Sequence, residues 1–413
     1  MMDRRQFFIL FLCTFIPWWV GSGVVPLLPI YAARLDASPA VVGNYLSLLF
    51  LALATGTIMG GWLAPKVRRF RQLLMALGAS SGVAILLMGQ TTMIWQLILL
   101  SVASWFASGM SVSLVMTLVG EYAEKDKRGH AFSLLAMAAA LGGLLGGASG
   151  FIVDHWGFTR LFTLGGSLWF AQLFIAAFLT NPPQMTRPEA AAQIGRAQNG
   201  AEGSLFVIPF LLLLVGALLV SIAGFVGFLG RTLGMEASGF SNATITLIAA
   251  LGAGLGLIFN PLLGRLSDRG RRRLLLLILY MIGAPALVIT AHAHTVTDYV
   301  MVAVLLALVA AERGISAALV SDLVPGRVLS RSLSLLEGMK WLGGVVGLAG
   351  SGYAIEQLGL AQALLWSTFL PVLAALLLLF LHVGKAHTGQ IPTPQPDLAW
   401  QVGQEDKQAQ LAS

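Results

Sequence analysis

Leu141-Gly-Gly-Leu-Leu-Gly146 and Leu342-Gly-Gly-Val-Val-Gly347 are one motif written twice, 201 residues apart. A shift of 203 residues likewise lays Gly61-Trp-Leu-Ala-Pro-Lys66 on Gly264-Arg-Leu-Ser-Asp-Arg269. A period of that size makes the chain two copies of one structural unit. Outward from these motifs, apolar runs broken by polar, Gly and Pro residues place twelve spans, at 7–30, 41–64, 73–89, 94–119, 132–152, 161–179, 205–229, 245–263, 274–291, 298–319, 333–354 and 361–383. Six fall in each copy, and an even number returns the chain to the side it started from, so the copies share one orientation. The sequence thus predicts an all-α polytopic membrane protein of twelve transmembrane helices in two parallel-repeat six-helix bundles, residues 1–180 and 205–384. The polar, Pro- and Gly-rich segment 181–204 reads as a cytoplasmic linker, and 385–413, with Pro392, Pro394 and Pro396, as a disordered cytoplasmic tail.

Composition agrees. Of 413 residues 57% are apolar and 10% charged, with mean hydropathy +0.83, against about 25% charged in an ordinary soluble domain. That excludes a soluble enzyme and a nucleic-acid binder, and makes the lipid bilayer the chain's main surroundings. The net charge of +7 is topological: Lys and Arg cluster in alternate loops, while Arg34, Arg160 and Arg231 stand alone on the other side. By the positive-inside rule both termini are cytoplasmic, in a multi-pass protein of the plasma (inner) membrane. Arg4 and Arg5 look like the start of a signal peptide, but the apolar run continues too far and Pro26-Leu27-Leu28-Pro29 is no cleavage site, so an uncleaved first span is expected. A lone Cys13 permits no intrachain disulfide. The six histidines form no metal cluster, and no phosphate loop, paired nucleophile and base, or metal-spaced carboxylates occur. No metal, cofactor or catalytic residue is expected, and transport energy would come from gradients. The chain is taken as monomeric.

Six plus six parallel spans joined by a cytoplasmic linker resemble the major facilitator superfamily, over residues 7–383. Gly264-Arg-Leu-Ser-Asp-Arg-Gly-Arg-Arg-Arg273, between spans 8 and 9, is similar to that family's loop G-x-L-[AS]-D-R-x-G-R-R with one residue missing before the glycine. The resemblance implies the major facilitator fold and a cytoplasmic gate built on Gly264, Asp268, Arg269 and Arg272, with Asp268 holding that side shut. The first-half counterpart has Pro65 in place of the aspartate. On span 5, Gly142-x3-Gly146-Gly147-x2-Gly150 resembles the antiporter signature G-x3-G-P-x2-G-G, with Gly147 for the proline and Phe151 for the last glycine. This points to the drug:proton antiporter branch. Span 11 carries Gly343, Gly344, Gly347 and Gly350 at matching places, so close helix packing between the halves accounts for Gly142, Gly146, Gly150, Gly343 and Gly347 better than a private antiporter role. Where the branch usually carries an arginine on span 4, this chain has Trp105, four residues before Gly109.

An ionisable side chain inside a span costs roughly 2.5 to 3.5 kcal/mol on insertion scales, so such residues mark a cavity or a partner. Four are found, Glu312 and Arg313 on span 10 and Glu337 and Lys340 on span 11. At 1.5 Å per residue Glu312 and Lys340 lie about 12 Å from the cytoplasmic ends of antiparallel neighbours, which permits Glu312 to pair with Lys340 and Arg313 with Glu337. The first-half counterparts are Ser111, Ala136 and Ala139, so the fold does not demand the charges. Glu312 and Glu337 are therefore proton-coupling candidates with Arg313 and Lys340 as charge partners; the alternative is a neutralised structural cluster. Ser101, Ser104, Trp105, Ser108 and Ser111 fall on one face of span 4, either lining a cavity or packing against a neighbour. Phe15, Pro17, Trp18 and Trp19 give span 1 rings that could stack an amphipathic ligand or fill interfacial space. Asn260-Pro261 marks a kink in span 8.

These features favour a secondary active transporter that works by alternating access, exporting a small amphipathic organic compound in exchange for protons. Uptake or facilitated diffusion of a polar metabolite such as a sugar is the alternative. An accessory subunit of a membrane complex is the alternative from another class.

Overall fold

The computed structural model describes residues 4–64, 69–122, 128–180, 208–267, 269, 271–324 and 329–380. Asp268, Pro65, the linker 181–204 and the tail 385–413 lie outside them. The described residues form helices and no strands. In hydrocarbon each backbone N–H and C=O must find its partner within the segment, which a helix does by construction. We number the helices α1 (Arg4–Ala33), α2 (Pro39–Leu63), α3 (Phe70–Met88), α4 (Ile94–Tyr122), α5 (Arg128–Gly146), α6 (Ser149–Ala176), α7 (Ile208–Ala237), α8 (Asn242–Ser267), α9 (Arg272–His292), α10 (Val296–Leu323), α11 (Leu329–Leu358) and α12 (Leu360–Leu379).

Nine of these are long and apolar enough to cross a membrane, ten with the bent pair α5–α6. The other, α11, carries Glu337, Lys340 and Glu356 among its glycines and serines, which lowers its hydropathy without shortening it. The turn between the fifth and sixth spans is not at residues 153–160 as loop but at one residue: Gly157, with φ 79° and ψ 171°, folds the chain back inside α6. Helix starts are written locally. Pro39 opens α2 behind Ser38, whose Oγ accepts the Val41 N–H, and Thr295 with Asp298 forms a capping box on α10.

Consecutive helices run up and down, which gives the bundle a basic end, carrying Arg4, Arg69, Arg265 and Arg271, and a far end, carrying Ser38, Gln90, Asn242 and His294. At the far end one buried cluster joins both sets of six: Leu27, Leu28, Tyr45 and Leu49 share it with Leu229, Met235, Ile245 and Tyr299. Toward the basic end the core divides. Leu10, Leu74, Leu114 and Leu135 form one cluster in the first set, and Phe210, Leu276, Ile315 and Leu378 another in the second.

The helix faces say the same. Along α2 the face that meets α11 at Gly43, Ser47 and Phe50 is exposed at Thr57, Ile58 and Gly61, further toward the basic end. On α8 the face that meets α5 and α6 at Asn242, Thr246 and Ala250 is exposed at Ala253, Leu257 and Pro261. The two sets are sealed at the far end and splay toward the basic end, leaving a cavity that opens there.

Candidate transport site

Glu312 stands where α10 breaks. The regular helix stops at Val309, Ala310 and Ala311 tighten the chain, and the second segment begins at Glu312 itself. The backbone N–H groups there are already bonded, Arg313 to the Ala310 carbonyl at 3.4 Å and Ile315 to that of Ala311 at 3.3 Å, so the carboxylate finds its partner on the neighbouring helix. Opposite it on α11, Lys340 is 2% exposed and places Nζ 3.2 Å from Glu312 Oε1. Nζ also donates to Ser316 Oγ at 2.9 Å, one turn further along α10. Glu337 reaches the same ammonium more loosely, at 3.8 Å, from the preceding turn of α11. Burying the pair without such partners would cost several kcal/mol per ion. Glu312 Oε2 and the fully buried Tyr280 Oη are left with no hydrogen-bond partner.

The second expected pair, Arg313 with Glu337, is not formed. Arg313 is exposed and lies over the ring of Trp341, 5.7 Å from its centroid. Glu337 instead follows the i,i+3 path along its own helix to Lys340. Trp341 continues across the molecule, to Phe50 of α2 at 5.9 Å, and Phe50 to Phe225 of α7 at 4.9 Å. These three rings roof the cavity at the depth where the two sets come together. None of the three stood out in the sequence, because aromatic residues are common in membrane spans and only the register between helices shows which ones meet.

Other candidates fall in different places. Trp18 is 44% exposed, on the α1 face that carries Ser22, itself packed by Gly143 and near Ala253 of α8. One turn nearer the basic end than that seal, Trp18 lies where the sets part. Trp19 turns sideways into an apolar groove between α1, α5 and α6. The span-4 stripe turns into its own set rather than the cavity. Ser101 Oγ shares a 2.7 Å hydrogen bond with Tyr45 Oη, Ser111 Oγ accepts from Gln172 Nε2 at 3.1 Å, and Ser104 and Trp105 are buried beside them. Ser108 alone is half-buried. Helix α4 is packed mainly on α2, α3 and α1, and its polar face finds hydrogen-bond partners on α2 and α6.

The glycines divide in two groups. Gly142 and Gly146 receive the α1 backbone, and Gly343 and Gly347 receive that of α7, so these four pack within a set and not between the halves. Gly150, against Asn242, does meet the other set, as do Gly43 and Gly352 against each other. Of the expected gate, Arg272 donates to Asp322 Oδ1 at 2.7 Å and to the Ala318 carbonyl at 3.1 Å, tying α9 to α10, while Arg269 and Gly264 make no such tie among the described residues. Arg231, read as an outer-loop residue, is instead inside α7 and 9% exposed. The helix runs on through Gly230 and Gly234 because those glycines let Leu364 and Tyr299 pack close.

Residues 8–311 and 232–413 match the model of the Major Facilitator Superfamily. Among curated proteins, the multidrug resistance protein MdtG of Klebsiella pneumoniae is 28% identical over 291 residues, 67% of this chain and 69% of that protein. MdtG of Salmonella paratyphi A is 29% identical over 185 residues, 43% of this chain and 44% of its own. Among solved structures, a bacterial homologue of the human lysosomal transporter Spinster, inward-facing and occupied, superposes with TM-score 0.76 at 15% identity, over 91% of this chain and 96% of that one. The nucleoside transporter NupG does so with TM-score 0.71 at 15% identity, over 92% and 99%. At that identity the likeness is one of fold.

Proposed function

The chain belongs to the Major Facilitator Superfamily of transporters, and on that premise we propose that it exports small amphipathic organic compounds, cationic ones foremost, in exchange for protons. The observation that carries the reading is the buried Lys340–Glu312 pair at 3.2 Å, whose first-half counterpart positions, Ala139 and Ser111, hold no charge. A structure-only role would leave no reason for placing it in one half, beside the aromatic roof of the cavity. Under this reading the basic end is cytoplasmic, as the distribution of Lys and Arg supports, and the cavity faces inward.

The charges then do the coupling. With Glu312 and Glu337 ionised, the two carboxylates balance Lys340 and Arg313. A cationic compound stacked on Trp341, Phe50 and Trp18 would draw on Glu337, the more exposed of the two carboxylates. Protonating Glu337 or Glu312 leaves a net positive cluster, which expels the cation; losing the proton makes the site attractive again. Proton and compound thus compete for one set of carboxylates, the condition for exchange. The MdtG relatives, named as multidrug resistance proteins, support efflux as the direction.

Binding of tetraphenylphosphonium to the purified protein tests this. The Glu312→Gln/Glu337→Gln variant should bind about tenfold more weakly than wild type, about 1.4 kcal/mol. Equal affinity in wild type and variant would remove the carboxylates from the substrate site.

A further inference from the structure

At the far end two carboxylates answer each other across the repeat. Asp154 of α6 accepts the backbone N–H of Asn242 at 3.1 Å, the Asn242 Nδ2 at 2.7 Å and, through its other oxygen, the backbone N–H of Ala243 at 2.8 Å. Those donors are the first residues of α8, in the other set. Glu356, at the end of α11, accepts Ser38 Oγ at 2.7 Å and the backbone N–H of Ala40 at 3.0 Å, at the start of α2. A shift of 202 residues carries Asp154 onto Glu356, and one of 203 carries Ser38 and Ala40 onto Ser241 and Ala243. One contact is therefore made twice, each set lending a carboxylate to a helix start in its partner.

The first N–H groups of a helix lack an internal acceptor and lie at the positive end of its dipole, so an anion there is bound by both effects. These helices do not need the visiting carboxylate in order to form. Ser38 Oγ already accepts the Val41 N–H at 3.5 Å, and Ser241 Oγ the Thr244 N–H at 3.2 Å, each a local cap. The carboxylates take the remaining donors, and what they add is attachment between sets. Beneath them the close approaches of Gly43 to Gly352 and of Gly150 to Asn242 bring the backbones near enough for the bonds to be made.

We propose that Asp154 and Glu356 are a paired latch that holds the far end shut and must release on both sides when that end opens. Because the repeat relates the two contacts, rocking one set against the other lengthens both together, and each biases the same equilibrium. The latch does not depend on which compound is carried or on proton coupling, and its test uses no substrate, so its failure and that of the efflux reading are separable.

Spin labels on cysteines introduced at Gln90 and His294, exposed at the far end of either set, would report the separation by double electron–electron resonance in nanodiscs; the native Cys13 is buried. Asp154→Asn and Glu356→Gln should each raise the ratio of long to short distances about fivefold, and the double variant about 25-fold, since the two carboxylates share no partner. Ser38→Ala and Asn242→Ala, which remove donors and spare the carboxylates, should shift the ratio the same way and carry the test if the acidic variants fold poorly. Tyr353→Phe removes only the neutral bond from Asn44 at 3.0 Å and should move the ratio less than about twofold. A double carboxylate variant with the wild-type distribution, or a Tyr353→Phe shift as large as theirs, would overturn the latch.

Discussion

Lys340 lies between two carboxylates of unequal burial, with side-chain exposures of 13% for Glu312 and 42% for Glu337. Lys340→Met leaves Glu312 buried without a cation, and should cost about 3 kcal/mol or more, read as a lowered Tm in detergent. Glu337→Gln should change stability by less than about 1 kcal/mol, because water already screens that group. Adding Glu312→Gln to Lys340→Met should recover much of the loss; a double variant as unstable as the single would mean that packing of the lysine stem, not charge, sets its value. The Glu312–Lys340 pairing was legible in the sequence because helix rise alone equalises their depths. The Arg313–Glu337 pairing was not, since depth says nothing of the competing ring of Trp341 or of the i,i+3 route from Glu337 to Lys340.

Between elements, a glycine's meaning depends on which helix faces it. Gly142→Leu would drive a side chain into the α1 backbone within one set, and overpacking of this kind should destabilise the protein by about 1 to 3 kcal/mol. Gly43→Leu meets α11 of the other set, so that collision can be relieved by parting the sets. It should leave Tm nearly unchanged while increasing labelling of a cysteine placed at Val345, behind the seal. Equal loss of Tm in both variants would mean the sets cannot move apart. The glycine runs were visible in the sequence, but not their partners, because a small residue at regular spacing fits any close neighbour. The serines of α4 show the same limit: the spacing marked a polar face, and only the packed structure assigned it to Tyr45 and Gln172. Breaks inside helices were also hidden. Ala310 and Ala311 are good helix formers, so nothing local announces that the chain tightens just before Glu312.

For the whole molecule, the repeat and the spans carried most of the fold, because hydrocarbon leaves few ways to arrange apolar runs of about 20 residues. Which end is sealed could not be read from them, since it depends on contacts between sets more than 80 residues apart in sequence, such as Asp154 with Asn242. The seal at the far end and the exposed faces of α2 and α8 give the structure its functional sense: a gap between the two sets that opens toward the basic end, beside the Phe50, Trp341 and Phe225 rings and the buried Lys340–Glu312 pair. The most direct measurement of the central claim is proton movement in proteoliposomes carrying an imposed pH gradient, with wild type and Glu312→Gln compared as a lipophilic cation is added. We expect the cation to trigger proton flux in the wild type and to trigger none in the variant. Equal flux in both, or passage of the cation with no proton flux in either, would contradict exchange through this site.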